Sequence, residues 1–314
     1  MQTILGAGGV IGRELSRHLS GVTSGIRQVG RKPVPVNNSD TCMAADLLNR
    51  DAVVRALEGS EIAYLVAGLP YDSRVWESDW PRMMENVIEG CARHGVKLVF
   101  FDNVYAYGWV EGAMTEDTPI NPCSRKGEVR ARIACRLLEA HAAGTVEAMI
   151  VRAADFYGPG AGLSFPHSTV FERLRKGKKP QWIGDASRVH SFTFTPDAGR
   201  TTALLGNRPD AYGRSWHALT APDPLTGEDF VRLACEVAGR PFAYQTAPGW
   251  LLALMGLFVP VLRENREMMY QFEHDYRFDS SRTAAFLGAD ATPYVEGIRA
   301  TFQKGAGVTP GGAG

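Results

Sequence analysis

The chain has 314 residues, 45% hydrophobic, 22% charged and 10% aromatic, an ordinary globular composition with room for one large domain or two intimate ones. Thirty-four lysines and arginines balance thirty-four aspartates and glutamates, which argues against nucleic acid or an acidic membrane as partner. Neither the five cysteines (Cys42, Cys91, Cys123, Cys135, Cys235) nor the seven histidines stand at metal-ligand spacing, so no metal is assigned and reduced thiols in a cytoplasmic protein are expected.

Thr3-Ile4-Leu5 reads as a first core strand rather than a signal peptide, and Ile11, Leu15 and Leu19 put one apolar face on the helix that follows. Ile26 to Val29 predicts a second strand, Asp51 to Leu57 a helix stopped by Gly59, and Ile62 to Ala67 a buried strand. Pro81 is placed in the first turn of a helix that runs through Met84, Val87 and Cys91 to Gly95. Val96 to Phe101 is a buried strand, Lys126 to His141 a helix, and Ala148 to Val151 a strand again. Such alternation predicts an α/β fold, a Rossmann-like doubly wound parallel sheet with helices on both faces. Residues 1–157 form the dinucleotide-binding domain in this reading, with segments from about 190–220 returning to it. Residues 158–304 form a smaller C-terminal substrate domain, with helices over Gly227 to Ala238 and Pro248 to Phe258, and 305–314 a disordered tail. Trp250 to Leu262, interrupted by Pro260, is too short to span a bilayer.

Between the first strand and the first helix lies Gly6-Ala7-Gly8-Gly9-Val10-Ile11-Gly12. Glycines at 6, 9 and 12 allow a tight turn, close approach of a pyrophosphate and close helix–strand packing, and the helix start offers its free N–H groups to phosphate. Gly6, Gly8, Gly9, Val10, Ile11, Gly12 and the next residue, Arg13, are therefore candidate cofactor contacts.

This glycine pattern resembles that of the extended short-chain dehydrogenases/reductases, the epimerase/dehydratase superfamily. Further matches are Val66-Ala67-Gly68, Asn86-Val87-Ile88, Arg152 to Gly160 (RAADFYGPG) and Phe192 to Asp197. The resemblance implies that Asp46, followed by Leu47, caps the adenine amino group and that Val66, Ala67 and Gly68 line the cofactor. It also implies a serine or threonine after the fifth strand and a Tyr-x-x-x-Lys on the next helix. Here Asn103 takes the serine position, while Lys126 and Arg130 take those of tyrosine and lysine, as in an atypical branch.

Three readings of Lys126 and Arg130 stay open. Arg130 binds the nicotinamide ribose while Lys126, its pKa lowered beside another cation, donates a proton; or the two belong to a solvated basic face; or the site binds cofactor without turnover. Tyr105 and Tyr107 are expected to point the same way, Tyr107 for packing and Tyr105 as a pocket hydroxyl. Asp102 is expected to face the ligand crevice or to cap a loop. Catalytic candidates are thus Lys126, Asn103 and Tyr105.

Gln28-Val29-Gly30-Arg31-Lys32 has no carboxylate at the end of the second strand, so Arg31 and Lys32 are expected to clamp a 2′-phosphate, and NADP(H) is the expected cofactor. His190 stands where sugar-nucleotide relatives are expected to carry an arginine for the diphosphate. The sequence therefore predicts an NADP(H)-dependent oxidoreductase acting on a small carbonyl or related compound. An NADP(H)-sensing regulator is the alternative, and a sugar-nucleotide epimerase or dehydratase ranks last. The expected partner is a small-molecule substrate, with neither nucleic acid nor membrane; a homodimer is left open.

Overall fold

The structure, a computed structural model, describes residues 1–23, 25–247 and 266–304. Its first half takes the elements in the order β1 (Gln2–Leu5), α1 (Val10–Leu19), β2 (Ile26–Gly30), β3 (Thr41–Ala44), α2 (Arg50–Leu57), β4 (Ile62–Leu65), α3 (Ser73–His94), β5 (Lys97–Asn103), β6 (Ala113–Met114), α4 (Arg125–Ala142) and β7 (Ala148–Ala153). It continues through β8 (Asp155–Tyr157), α5 (Glu172–Arg175), β9 (Gln181–Ile183), β10 (Phe192–Phe194), α6 (Thr195–Gly206), β11 (Ser215–His217) and α7 (Gly227–Val237).

Among the described residues, seven strands form one parallel sheet in the order β11-β7-β5-β4-β1-β2-β3. The direction of winding reverses between β1 and β4, which opens a crevice at their carboxyl ends. Every residue of β1, β4 and β7 is buried, because helices cover both faces. One face packs α2, α3 and α4 on Leu5, Leu65, Leu98, Phe100 and Ile150, and the other packs α1 and α6 on Ile4, Tyr64, Val99, Met149 and Val151. A separate cluster around Tyr157, Phe171, Trp182, Phe192 and Phe230 joins β8, β10 and α7.

The sheet matches the predicted α/β class, and three local expectations are corrected. Helix α3 begins at Ser73, so Pro81 lies in its interior rather than in its first turn. Asp72 caps the true start through the N–H groups of Arg74 and Val75, and Trp76 and Trp80 are buried one turn apart. A helix-interior proline costs about 3 kcal/mol, whereas one buried indole contributes roughly as much and this turn buries two. Strand β3 was not foreseen; it is an edge strand of Thr41-Cys42-Met43-Ala44, largely exposed and without alternation. β5 and β7 extend two residues beyond the apolar runs that mark them, through Asp102-Asn103 and Arg152-Ala153. The helix expected over 248–258 and the tail at 305–314 lie outside the described residues.

Helix α6 lies directly on α1, and Gly199 allows the approach: a Cβ there would stand 2.6 Å from Glu14. We expect Gly199→Val to lower unfolding stability by about 1–3 kcal/mol, read as a drop in urea midpoint, through overpacking. A midpoint unchanged from the wild type would contradict this packing.

Candidate active site

At the switch point the turn after β1 meets the segment after β4. Gly6 has a φ of +95°, and a Cβ on it would lie 2.3 Å from the Cα of Ala67, so only glycine fits. Gly12 presses on the backbone of Ala7, while a Cβ on Gly8 would meet nothing and one on Gly9 only the Gly6 carbonyl at 3.7 Å. The two open glycines leave backbone bare to the crevice. Helix α1 starts at Val10 with no side-chain cap and no acid in its first turn, so its N–H groups and dipole are left for an anion. This cradle fits the pyrophosphate of a dinucleotide. Gly160 closes its rim, where a Cβ would come within 3.5 Å of Val10.

The other candidate cofactor residues lie along the same edge. Val66 is buried and Ala67 half-buried beside Gly6, with Gly68 exposed beyond them. Leu47 is buried behind the exposed Asp46, whose Oδ1 accepts from the N–H of Leu48. Arg13, Arg31 and Lys32 are exposed, at the start of α1 and just past β2.

Lys126 and Arg130 are both buried, at 0% and 4% exposure, so the solvated-face reading does not hold. Instead of each other, they meet carboxylates. The Lys126 ammonium donates to Glu267 Oε1 at 2.8 Å and to Ser73 Oγ at 3.1 Å, and lies 4.5 Å over the Tyr71 ring. Glu267 Oε2 also accepts from the backbone N–H of Arg125, the first residue of α4, at 2.8 Å. Arg130 turns the other way. Its Nε donates to Asp102 Oδ1 at 2.6 Å, and its guanidinium stacks 4.3 Å over Trp80. The structure therefore splits the pair, with Lys126 beside the loop after β4 and Arg130 tied to the end of β5.

Asp102 is buried rather than open to the crevice. Its second oxygen lies 3.5 Å from Arg152 Nε, and Arg152 donates to the Tyr107 hydroxyl at 3.1 Å. Tyr107 in turn stands 2.9 Å from His217 Nε2, and His217 Nδ1 lies 2.6 Å from the carbonyl of Asp279. A carbonyl only accepts, so the histidine proton is on Nδ1 and the tyrosine donates to Nε2. Burial holds the His217 pKa down to about 3, which keeps the ring neutral.

Tyr105 and Tyr107 do not point the same way, because a 3-10 turn over Tyr105–Tyr107 replaces the expected strand alternation. Tyr105 stacks on Trp76 at 6.3 Å and reaches toward Tyr71, and burial pushes its ionisation well above the ordinary range, so it is a hydrogen-bond donor near neutral pH. Asn103 spends its side-chain oxygen on the N–H of Tyr105 at 3.0 Å, shaping this turn.

Across the crevice, Asp155 of β8 faces His190, Nε2 to Oδ2 at 3.0 Å. His190 Nδ1 faces the carbonyl of Gln271 at 3.1 Å and therefore carries a proton. Phe272 and Tyr276 sandwich the imidazole at 4.7 and 4.5 Å.

With this geometry in hand, comparison with known proteins gives the family. The profile of the NAD dependent epimerase/dehydratase family matches residues 3–216. The chain belongs to that family. A 3beta-hydroxysteroid-dehydrogenase/decarboxylase (isoform 1) of Arabidopsis thaliana is 23% identical over 293 residues, 83% of this chain and 66% of the relative. Isoform 2 is also 23% identical, over 86% of this chain and 52% of its own length, so the chain spans from about half to two thirds of these relatives. Among solved structures, a double mutant of a dTDP-glucose 4,6-dehydratase from Streptomyces venezuelae, with NAD bound, superposes with a TM-score of 0.79. It is 16% identical, covering 98% of this chain and 97% of that one. A UDP-glucuronic acid 4-epimerase from Bacillus cereus in complex with NAD gives 0.78 at 17% identity, covering 97% and 98%. At these identities the likeness to solved structures establishes the fold.

The relatives so named are enzymes, and they overturn the expected NADP(H)-dependent oxidoreductase of small carbonyls. The class ranked last from sequence is the one they favour. The misjudgement traces to His190. Its ring is sandwiched and committed to Asp155 and Gln271, so it says nothing about where a diphosphate would bind.

Glu267 and Ser73 escaped the sequence reading. Glu267 is 141 residues from Lys126, with no spacing to connect them, and Ser73 opens α3 two turns ahead of the start expected at Pro81. Asp155 lies inside a quoted motif, but its pairing with His190 carries no pattern.

His217 gives this site a pH signature. Its folded pKa of about 3 lies below the ordinary 6.5, so the stability tied to its neutral form is complete above 6.5 and drains away as pH falls toward 3. His217→Gln should lose less stability than the wild type over that window in urea titrations, and parallel losses would contradict the assignment.

Proposed function

We propose that the protein is a nicotinamide-dinucleotide-dependent enzyme that oxidises a secondary alcohol on the ring of a sugar nucleotide, the opening step of epimerisation or dehydration. The observation that carries this reading is that the segment after β4 packs Ala67 against Gly6, at the uncapped glycine-rich start of α1, and a few residues on brings Tyr71 and Ser73 to the buried Lys126 side chain. Membership of the epimerase/dehydratase family supports the substrate class. When bound, the dinucleotide supplies the hydride acceptor. The chain does the rest: the N–H groups of α1 hold the pyrophosphate, and Asp46 meets the adenine. Lys126 handles the alcohol proton, Tyr105 donates a hydrogen bond, and Tyr71 and Trp76 wall the ring.

Incubating the protein with oxidised dinucleotide and a panel containing dTDP-glucose and UDP-glucuronic acid should give reduced nicotinamide or a new sugar product. A panel that leaves every sugar nucleotide untouched would overturn the reading. The curated relatives and the aromatic walls favour one second reading, a ring alcohol on a hydroxysteroid, and a 3β-hydroxysteroid in the same panel tests it.

The cofactor form proposed is NADP(H). No carboxylate stands in Gln28 to Lys32, and exposed Arg31, Lys32 and Arg13 can form charge-assisted hydrogen bonds to a 2′-phosphate, each contributing about 1.5–3 kcal/mol. Arg31→Ala should weaken NADPH binding about tenfold or more by fluorescence titration and leave NADH binding unchanged. Equal loss for both would contradict the clamp.

A further inference from the structure

Among the described residues, the carboxylate in direct contact with Lys126 is that of Glu267. Asp102 is held between Arg130 and Arg152, and Asp155 is paired with His190. Tyr105 is kept protonated by burial.

We propose that Glu267 is the proton relay partner of Lys126, so that a lysine–carboxylate pair does the acid–base work for which the family pattern carries tyrosine and lysine. The proposal rests on the function proposed above. Glu267 acts through Lys126 and is a positioning residue. Its carboxylate is fixed at both oxygens: Oε1 takes the ammonium, and Oε2 takes the first N–H of α4. That N–H anchors it at the positive end of the helix dipole. Ser73, brought in by α3, also donates to Oε1 at 3.5 Å, so two helices locate one carboxylate. Among the described residues, the groups facing the pair are Tyr71 from the loop after β4, Tyr105 beyond it and Arg125 on α4, with Tyr270, from the segment that carries Glu267, lying toward Tyr71. Burial holds Tyr105 and Tyr270 protonated.

The step balances. The alcohol carbon loses hydride to the oxidised dinucleotide, which is reduced, and the alcohol becomes a carbonyl. Its O–H proton passes to Lys126 Nζ as a proton already on Nζ passes to Glu267 Oε1. The lysine ends as charged as it began, and the carboxylate ends protonated.

The test uses the full chain and the variants Glu267→Gln, Glu267→Asp and Lys126→Met, with two kinds of readout. Without turnover, thermal midpoints of Glu267→Gln, Lys126→Met and the double variant report the contact. The double variant should fall no further than the worse single, and additive falls would overturn the pair. NADP+ affinity should stay within about twofold of the wild type in Glu267→Gln.

With the sugar nucleotide that the wild type oxidises, Glu267→Gln should slow turnover at least about a hundredfold with little change in KM. Glu267→Asp should restore part of the rate. Glu267→Gln turning over within about threefold of the wild type overturns the relay and leaves the proposed function standing. A wild type that binds no dinucleotide, or oxidises nothing in the panel, overturns that function and the relay with it.

Discussion

One carboxylate, that of Asp102, organises the interior of this protein. It sits at the end of β5 between the guanidinium groups of Arg130 from α4 and Arg152 from β7. Through Arg152 the chain of contacts runs on to Tyr107 and His217, and so to the edge strand β11. Removing one partner of such a buried set typically costs about 3–5 kcal/mol, because the charges left behind have no water to turn to. The network has a price in chemistry as well. A guanidinium committed to Asp102 and stacked on Trp80 is a structural tie, so the two cations that share one helix face have separate employments. Lys126, on the same face, is held instead by Glu267 and Ser73 beside the loop after β4.

The glycine loop and the strand–helix alternation were legible because both are local. Gly6 and Gly12 are required by contacts within one β–α unit, and the apolar runs of the central strands are continuous because both sheet faces are covered. Legibility failed where local rules met tertiary ones. Pro81 reads as a helix start, yet the burial of Trp76 and Trp80 carries the helix through it. Tyr105 and Tyr107 read as neighbours on one strand face, yet the backbone tightens into a 3-10 turn and sends them to different partners. Strand β3 has no pattern of its own, being an exposed edge. The Lys126–Glu267 and Asp155–His190 contacts join distant parts of the chain, and nothing in either neighbourhood announces them.

The substrate side teaches the same lesson about single residues. His190 in place of an arginine looked like evidence against a diphosphate, but a side chain sandwiched between Phe272 and Tyr276 reports on its own packing. What the structure gathers around the buried Lys126 is aromatic, with the exposed Tyr71 edge-on to the buried Trp76 and Trp76 stacked on Tyr105. Such a lining suits the face of a ring while directing one polar edge toward the lysine.

The central claim is that Lys126 stands at the alcohol being oxidised, beside a dinucleotide lying across the β1–β4 switch point. A structure of the chain with oxidised dinucleotide and a sugar nucleotide tests it most directly. The account predicts the pyrophosphate at the start of α1 and a ring hydroxyl about 3 Å from Lys126 Nζ, within hydrogen-bond reach. A dinucleotide bound away from Gly6–Gly12, or a ring hydroxyl held by other donors with Lys126 turned from it, would contradict the account.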